Sequence, residues 1–307
     1  MRFSNIAPIM RRLAVLLLVL PALAGCGGGP GGEGPRVVAT TTQGADLARA
    51  VAGDRMHVTG LLPANADPHE HELRPQDVKA LIGARLVVRS GGDVDAWLDE
   101  AIDAAGTSAP VLTLADAVAP LGDDPHWWQD PRNAVAAVGA LRTALARVDP
   151  AGAAGYARRA AAYERRLRAL DRAVARCIAR VPAAQRTIVT THDSLGYYAR
   201  RYGLRVVGAV IPARTTVAQP SAGETAALIA TIRREHVKAV FAERAVNPKV
   251  EAAIARESGA RIGRPLWADT LGPEGSGAAT YVDSIAANTD ALVAGMTGGA
   301  VRCRPEV

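Results

Sequence analysis

Short β-branched runs and longer stretches with apolar residues three or four apart succeed one another along this chain. Arg36-Val37-Val38-Ala39-Thr40-Thr41 predicts a first strand, and the Ala and Leu positions of 42–51 predict a helix. A second strand over 58–62 runs straight into Asp67-Pro68-His69. Arg74-Pro75 starts a helix through Leu81 and Ile82; Leu86-Val87-Val88 and residues 111–114 predict the third and fourth strands. Strands alternating with helices point to a parallel α/β domain, whose ligand loops lie beyond the carboxyl ends of its strands.

Asp130-Pro131 opens a helix carrying Val135, Val138, Leu141 and Leu145. Asp149-Pro150 opens another, with Asp at the cap and Pro at the first helical position. In that helix Tyr163, Leu167, Leu170, Val174 and Ile178 recur at spacings of four, three, four and four, and Pro182 ends it. Residues 150–181 therefore read as one rigid helix between two domains, or as an ordinary packed helix. The α/β rhythm then resumes: strands over 187–190, 206–211 and 239–241, and helices holding Tyr197 and Tyr198, over 221–235 with Ser221 and Glu224 as a capping box, over 248–258 before Gly259, and over 280–296. The expected organisation is a lobe over 36–149, a linking helix over 150–181, a second lobe over 182–299 and a tail over 300–307.

The amino end breaks this pattern. Arg11-Arg12 precedes an apolar run from Leu13 to Ala24, too short for a stable bilayer span, and Leu23-Ala24-Gly25-Cys26 resembles a bacterial lipobox. A signal peptide over 1–25, a lipidated Cys26 at the membrane surface and a Gly-rich tether through residue 35 are expected. The alternatives are an ordinary signal peptide or an uncleaved anchor.

Across 307 residues, 49% hydrophobic and 21% charged, the composition is that of a globular chain long enough for two domains. Net charge is +6, and near +3 once Arg2, Arg11 and Arg12 leave with the signal. The arginines are scattered and aromatics are few, which argues against nucleic-acid binding. Cys177 and Cys303 are left beside Cys26; an exported location permits a disulfide, and two unlinked thiols are the alternative.

Of the six histidines, His69 and His126 each follow Asp-Pro, and His192 sits in Thr191-His192-Asp193 at the end of a predicted strand. With Asp269, in Ala268-Asp269-Thr270, they form a candidate metal site of three imidazoles and one carboxylate, two donors from each half. That donor set suits zinc better than magnesium or calcium, which take oxygen ligands. Glu70 and Asp193 adjoin these positions and either orient imidazoles or cap loops. Trp127 and Trp128 either wall the site or pack. His57 and His236 read as structural, and Arg200, Arg201 and the nearby tyrosines as helix packing or solvent-facing residues.

Several stretches carry a resemblance to the zinc/manganese solute-binding lipoproteins of bacterial ABC importers, the cluster A-I family. They are Ala66-Asp67-Pro68-His69-Glu70-His71-Glu72, the run Asp124-Pro125-His126-Trp127-Trp128-Gln129-Asp130-Pro131-Arg132-Asn133, Thr191-His192-Asp193-Ser194-Leu195-Gly196-Tyr197-Tyr198, Gln219-Pro220-Ser221 and Leu271-Gly272-Pro273-Glu274-Gly275-Ser276. They stand in family order over about residues 36–297. The resemblance implies two parallel-sheet α/β lobes joined by a long helix, with metal in the cleft between them. Its four ligands fall on His69, His126, His192 and Asp269. It implies ABC permease and ATPase subunits as partners, with a zinc chaperone as a further candidate, and a monomer. Histidine rather than glutamate at 192 favours zinc over manganese; iron(II) is a further alternative cargo. Two features depart from the family: the segment before Asp124 is short and lacks histidine, and His71 replaces an aromatic residue. His71 reads as a solvated loop residue or an auxiliary zinc contact.

The expected function is capture and delivery rather than catalysis. A secreted zinc hydrolase would need an open coordination position, which Asp269 would close, and no HExxH helix supplies a base. A surface adhesin, a role described for some members of the resembling family, would not need the four donors. Metal affinity should fall as pH drops through the histidine range.

Overall fold

A computed structural model describes Met1 and residues 36–307; the expected cleavage site, lipidated Cys26 and tether fall in residues 2–35, outside the described residues. The first half builds a four-stranded parallel sheet from β1 (Arg36–Ala39), β2 (His57–Gly60), β3 (Ala84–Arg89) and β4 (Val111–Thr113), in the order β2-β1-β3-β4. Val37, Val38, Leu86, Val87 and Val88 are buried, as the inner strands of a doubly covered parallel sheet require. Around it lie α1 (Thr42–Ala52), α2 (Pro75–Leu81), α3 (Leu98–Ala105) and α4 (Pro131–Val148). Asp130 caps α4 as expected, its Oδ1 accepting from the Arg132 N–H at 2.8 Å.

Next comes α5 (Ala153–Ala179), the longest helix among the described residues. It starts later than its sequence predicts, because Pro150–Gly152 forms a separate 3-10 turn. Asp149 does not cap it. Arg55 takes the Asp149 carboxylate in a two-point ion pair and the Tyr156 hydroxyl donates to it at 2.7 Å, and these charge-assisted bonds displace the cap. Leu167, Leu170, Val174 and Ile178 are fully buried, each worth about 1.5–3 kcal/mol of apolar burial. α5 packs against α1 and α4 of the first half, and its apolar stripe belongs to one continuous core that reaches into the second.

The second half repeats the plan with β5 (Thr187–Thr190), β6 (Arg205–Ala209), β7 (Ala239–Phe241) and β8 (Arg261–Ile262), all parallel, in the order β6-β5-β7-β8. Second, first, third, fourth is also the order in the first sheet. The helices are α6 (Gly196–Tyr202), α7 (Ala222–Arg234), α8 (Lys249–Ser258) and α9 (Tyr281–Met296), the last two packed on β7 and α9 also on α5. The capping box of α7 forms, with Ser221 Oγ accepting from the Glu224 N–H at 3.2 Å and Glu224 accepting from the Ser221 N–H at 2.7 Å. Cys177 and Cys303 are joined by a disulfide, which ties the end of α5 to the carboxyl-terminal tail. The fold is thus two parallel-sheet α/β lobes joined by a long helix.

Candidate metal centre

All four candidate donors lie in loops beyond strand carboxyl ends: His69 after β2, His126 after β4, His192 after β5 and Asp269 after β8. Both Asp-Pro-His stretches fold alike. Asp67 Oδ1 accepts from the His69 N–H at 2.9 Å, and Asp124 Oδ1 from the His126 N–H at 3.0 Å. An aspartate bonded to the backbone two residues on, with proline fixing φ between, sets the direction in which each imidazole leaves the chain. The Asp269 segment docks on the first half. Trp128 Nε1 and Gln129 Nε2 donate to the Ala268 carbonyl at 2.9 and 2.8 Å, and the Leu271 N–H donates to Thr42 Oγ1 at 2.9 Å.

One donor atom from each of His69, His126, His192 and Asp269 lies within 4.8 Å of the other three. No side chain among them is more than 3% exposed. Asp269 Oδ2 is 3.0 Å from His192 Nε2 and 3.3 Å from His69 Nε2; Oδ1 is 3.6 Å from His126 Nε2. Two donors about 2.0–2.1 Å from one zinc at the tetrahedral angle stand about 3.4 Å apart, so these separations already have the size of a coordination shell.

Two observations fit a cation at this point. The Nδ1–H of His126 donates to Asp124 Oδ1 at 2.8 Å, and that of His192 to Glu243 Oε1 at 2.7 Å. In the neutral tautomers both Nε2 lone pairs then point inward, 3.1 Å apart, where one cation would engage both. In addition, His69 Nε2 and both Asp269 oxygens are buried without a hydrogen-bond partner, which native interiors seldom tolerate.

Burial opposes charge on His69 and His192, but the Asp269 carboxylate, joined by Glu243 at His192, outweighs it. Both pKa values lie above the ordinary histidine value, that of His192 well above. Burial likewise opposes ionisation of Asp269, yet His192 and His126 hold its pKa well below the carboxylate range. Burial pushes Glu243 up, against the pull of His192.

The carboxylates that orient imidazoles are Asp124 and Glu243, not Glu70 and Asp193. Glu70 is exposed and Asp193 pairs with Arg214. Glu243 had a sequence signal, since it follows β7 at the same strand end as the donors. We expect Glu243→Gln to weaken metal binding about 10–100-fold, the usual effect of removing such a partner, measured by competition with a chromophoric chelator. Nor is His71 solvated. Its side chain is 6% exposed, 3.0 Å from Asp77 Oδ2 and tilted against the Trp97 ring, outside the donor cluster. Trp128 stands edge-on to His126 and shields it, while Trp127 Nε1 donates to Ser90. Arg201 makes a two-point contact with Asp171 of α5.

The family described as ZnuA, zinc-uptake complex component A, periplasmic, matches residues 37–295. The chain belongs to this family. Its relatives include the manganese-binding lipoprotein MntA of Halalkalibacterium halodurans, 29% identical over 92% of this chain and 97% of that protein. The iron-binding protein YfeA of Yersinia pestis is 28% identical over 85% of this chain and 86% of its own. Among solved structures, the periplasmic zinc binding protein TroA from Treponema pallidum aligns with a TM-score of 0.80 at 28% identity, covering 86% of this chain and 99% of that one. This ZnuA-family chain is a metal-binding solute receptor of an ABC importer, not an enzyme.

Proposed function

We propose that the protein captures one zinc ion outside the cytoplasmic membrane, on His69, His126, His192 and Asp269, and delivers it to an ABC permease and its ATPase. The observation that carries this reading is the buried convergence of three Nε2 atoms and one carboxylate, two of the imidazoles being oriented by acids. Zinc accepts a closed tetrahedron of this composition, whereas manganese favours more oxygen ligands. A lipid on Cys26 would hold the receptor at the membrane, and among the described residues no helix is long and apolar enough to cross one. Residues 36–149 and 182–299 act as the two lobes and 150–181 as their link. The relatives named for manganese and iron favour a second reading, the same receptor with another cargo.

Competition titration of the metal-free protein separates the two. One zinc per chain, not displaced by excess manganese, is expected; manganese or iron(II) retained in preference to zinc would change the cargo and keep the site. The same titration has a predictable pH dependence. Metal binds the neutral imidazole, and Asp269 and Glu243 favour the protonated forms of His192 and His69. Protons therefore compete from above the ordinary histidine value of about 6.5 downward, and zinc affinity falls as pH falls from 8 to 5. A flat profile would exclude imidazole ligation.

A further inference from the structure

Residues 213–216 follow β6 in the second half, yet they touch both Asp-Pro-His turns of the first. Arg214 Nη1 lies 3.2 Å from Asp124 Oδ2 and 3.1 Å from Asp193 Oδ2, and donates to the Asp193 carbonyl at 3.3 Å. Its Nε is 3.5 Å from Asp123 Oδ1. Two residues on, Thr216 Oγ1 donates to Asp67 Oδ2 at 2.7 Å. The two turns thus divide their carboxylates in the same way. Oδ1 fixes the histidine that follows, and Oδ2 faces the segment from the other lobe.

Asp124 has the more demanding role, because its Oδ1 also accepts from the His126 ring. Its side chain is fully buried and its Oδ2 has no hydrogen bond, which leaves the Arg214 guanidinium as the charge facing it. A buried carboxylate stripped of its cation is strongly disfavoured and moves or draws in water. Its seat is also shaped for close approach. A Cβ on Gly196, at the start of α6, would run into Asp124 Oδ2, and the Tyr197 hydroxyl accepts from the Leu121 N–H at 2.9 Å. The Asp269 segment, by contrast, is already tied to the first half through Thr42, Trp128 and Gln129.

We propose that Arg214 and Thr216 are positioning residues that latch the two histidine turns of the first lobe to the second, and so set the rate at which bound metal leaves. The proposal rests on the metal-capture reading above. Neither residue belongs to the donor cluster. Arg214 acts through Asp124 on His126 and holds Asp193 next to His192, and Thr216 acts through Asp67 on His69. An opening that separates the lobes has to break both contacts, so their strength enters the escape rate and leaves the donor set unchanged.

The test is transfer of zinc from the loaded full chain to excess chelator, followed by stopped flow, with zinc content and the melting temperatures of the metal-free and the loaded protein measured alongside. The variants are Arg214→Met, Thr216→Val, Asp124→Asn and the Arg214→Met/Asp124→Asn pair. We expect one zinc per chain in Arg214→Met and Thr216→Val, with release about tenfold faster for Arg214→Met and a few-fold faster for Thr216→Val, as for loss of a group that orients a ligand. Melting of the metal-free protein should fall less than that of the loaded protein, because the unpaired Asp124 is free to move when His126 holds no ion. In the Asp124→Asn background Arg214→Met should add less than about twofold, because coupled residues are not additive. Release within about twofold of wild type in both single variants overturns the latch. So does a metal-free protein that loses as much stability as the loaded one, since that marks structural support alone. A full additional effect of Arg214→Met on top of Asp124→Asn overturns the route through Asp124. A wild-type chain that takes up no zinc would instead refute the capture reading itself.

Discussion

Asp269→Asn is expected to abolish stoichiometric zinc binding, with affinity falling more than about 100-fold, beyond the effect usual for a group that only orients a ligand. The substitution keeps the shape of the side chain and removes its charge. In the wild type both carboxylate oxygens are buried without hydrogen bonds and face three imidazole nitrogens at 3.0–3.6 Å. An amide offers one neutral oxygen and turns an N–H toward the inward lone pairs. The charge that would close the tetrahedron and offset the dication is lost. The hydrogen bonds that hold the segment come from Ala268 and Leu271, so the fold should persist. Zinc per chain by mass spectrometry, together with circular dichroism of the metal-free variant, checks both halves of this expectation. Retention of one tightly held zinc would remove Asp269 from the site.

The second large effect concerns stability. Cys303→Ser should destabilise the protein by about 2–5 kcal/mol, or roughly 5–15 °C in melting temperature for a chain of this size. The bridge closes a loop spanning 126 residues in sequence, which restricts the unfolded chain strongly. Cys177 lies in the last turn of α5, ahead of the amino end of β5, whereas the candidate metal donors lie past the strand carboxyl ends. Zinc affinity of the folded variant should therefore match wild type. Thermal unfolding of wild type and variant, with and without reductant, measures the effect; equal melting temperatures would show that the disulfide contributes little.

The elements that the sequence announces clearly are those in which local and tertiary preferences agree. α4 has Asp130 at its cap, Pro131 inside and buried Val138, Leu141 and Leu145 at helical spacing. α3 and β8 are not announced by the sequence because both are short, and α3 has no side-chain cap to mark its start. α3 buries only Leu98 and Ala101 in eight residues, and both residues of β8 are exposed. Asp149 has the cap residue and the proline of a helix start, but a guanidinium 94 residues away claims its carboxylate. Local rules cannot anticipate that competition.

Two of the four candidate donors, His69 and His126, are legible because their turns are local: Asp67 and Asp124 fold their own histidines into place. The supporting carboxylates divide along the same line. Asp124 lies inside its motif, whereas Glu243 lies 51 residues from His192 and reaches it through the pairing of β5 with β7. His71 shows the converse. Its neighbours in sequence suggested a loop in water, but α2 brings Asp77 and the α3 approach brings Trp97 against it. The Cys177–Cys303 bridge was open in the sequence because nothing local relates a helix end to the tail.

Anomalous diffraction at the zinc edge from crystals of the zinc-loaded protein locates the bound ion. One strong peak is expected, about 2.0–2.2 Å from the Nε2 atoms of His69, His126 and His192 and from an Asp269 oxygen. A peak at any other group of side chains, or no peak in protein shown to bind zinc, would contradict zinc capture at these four residues.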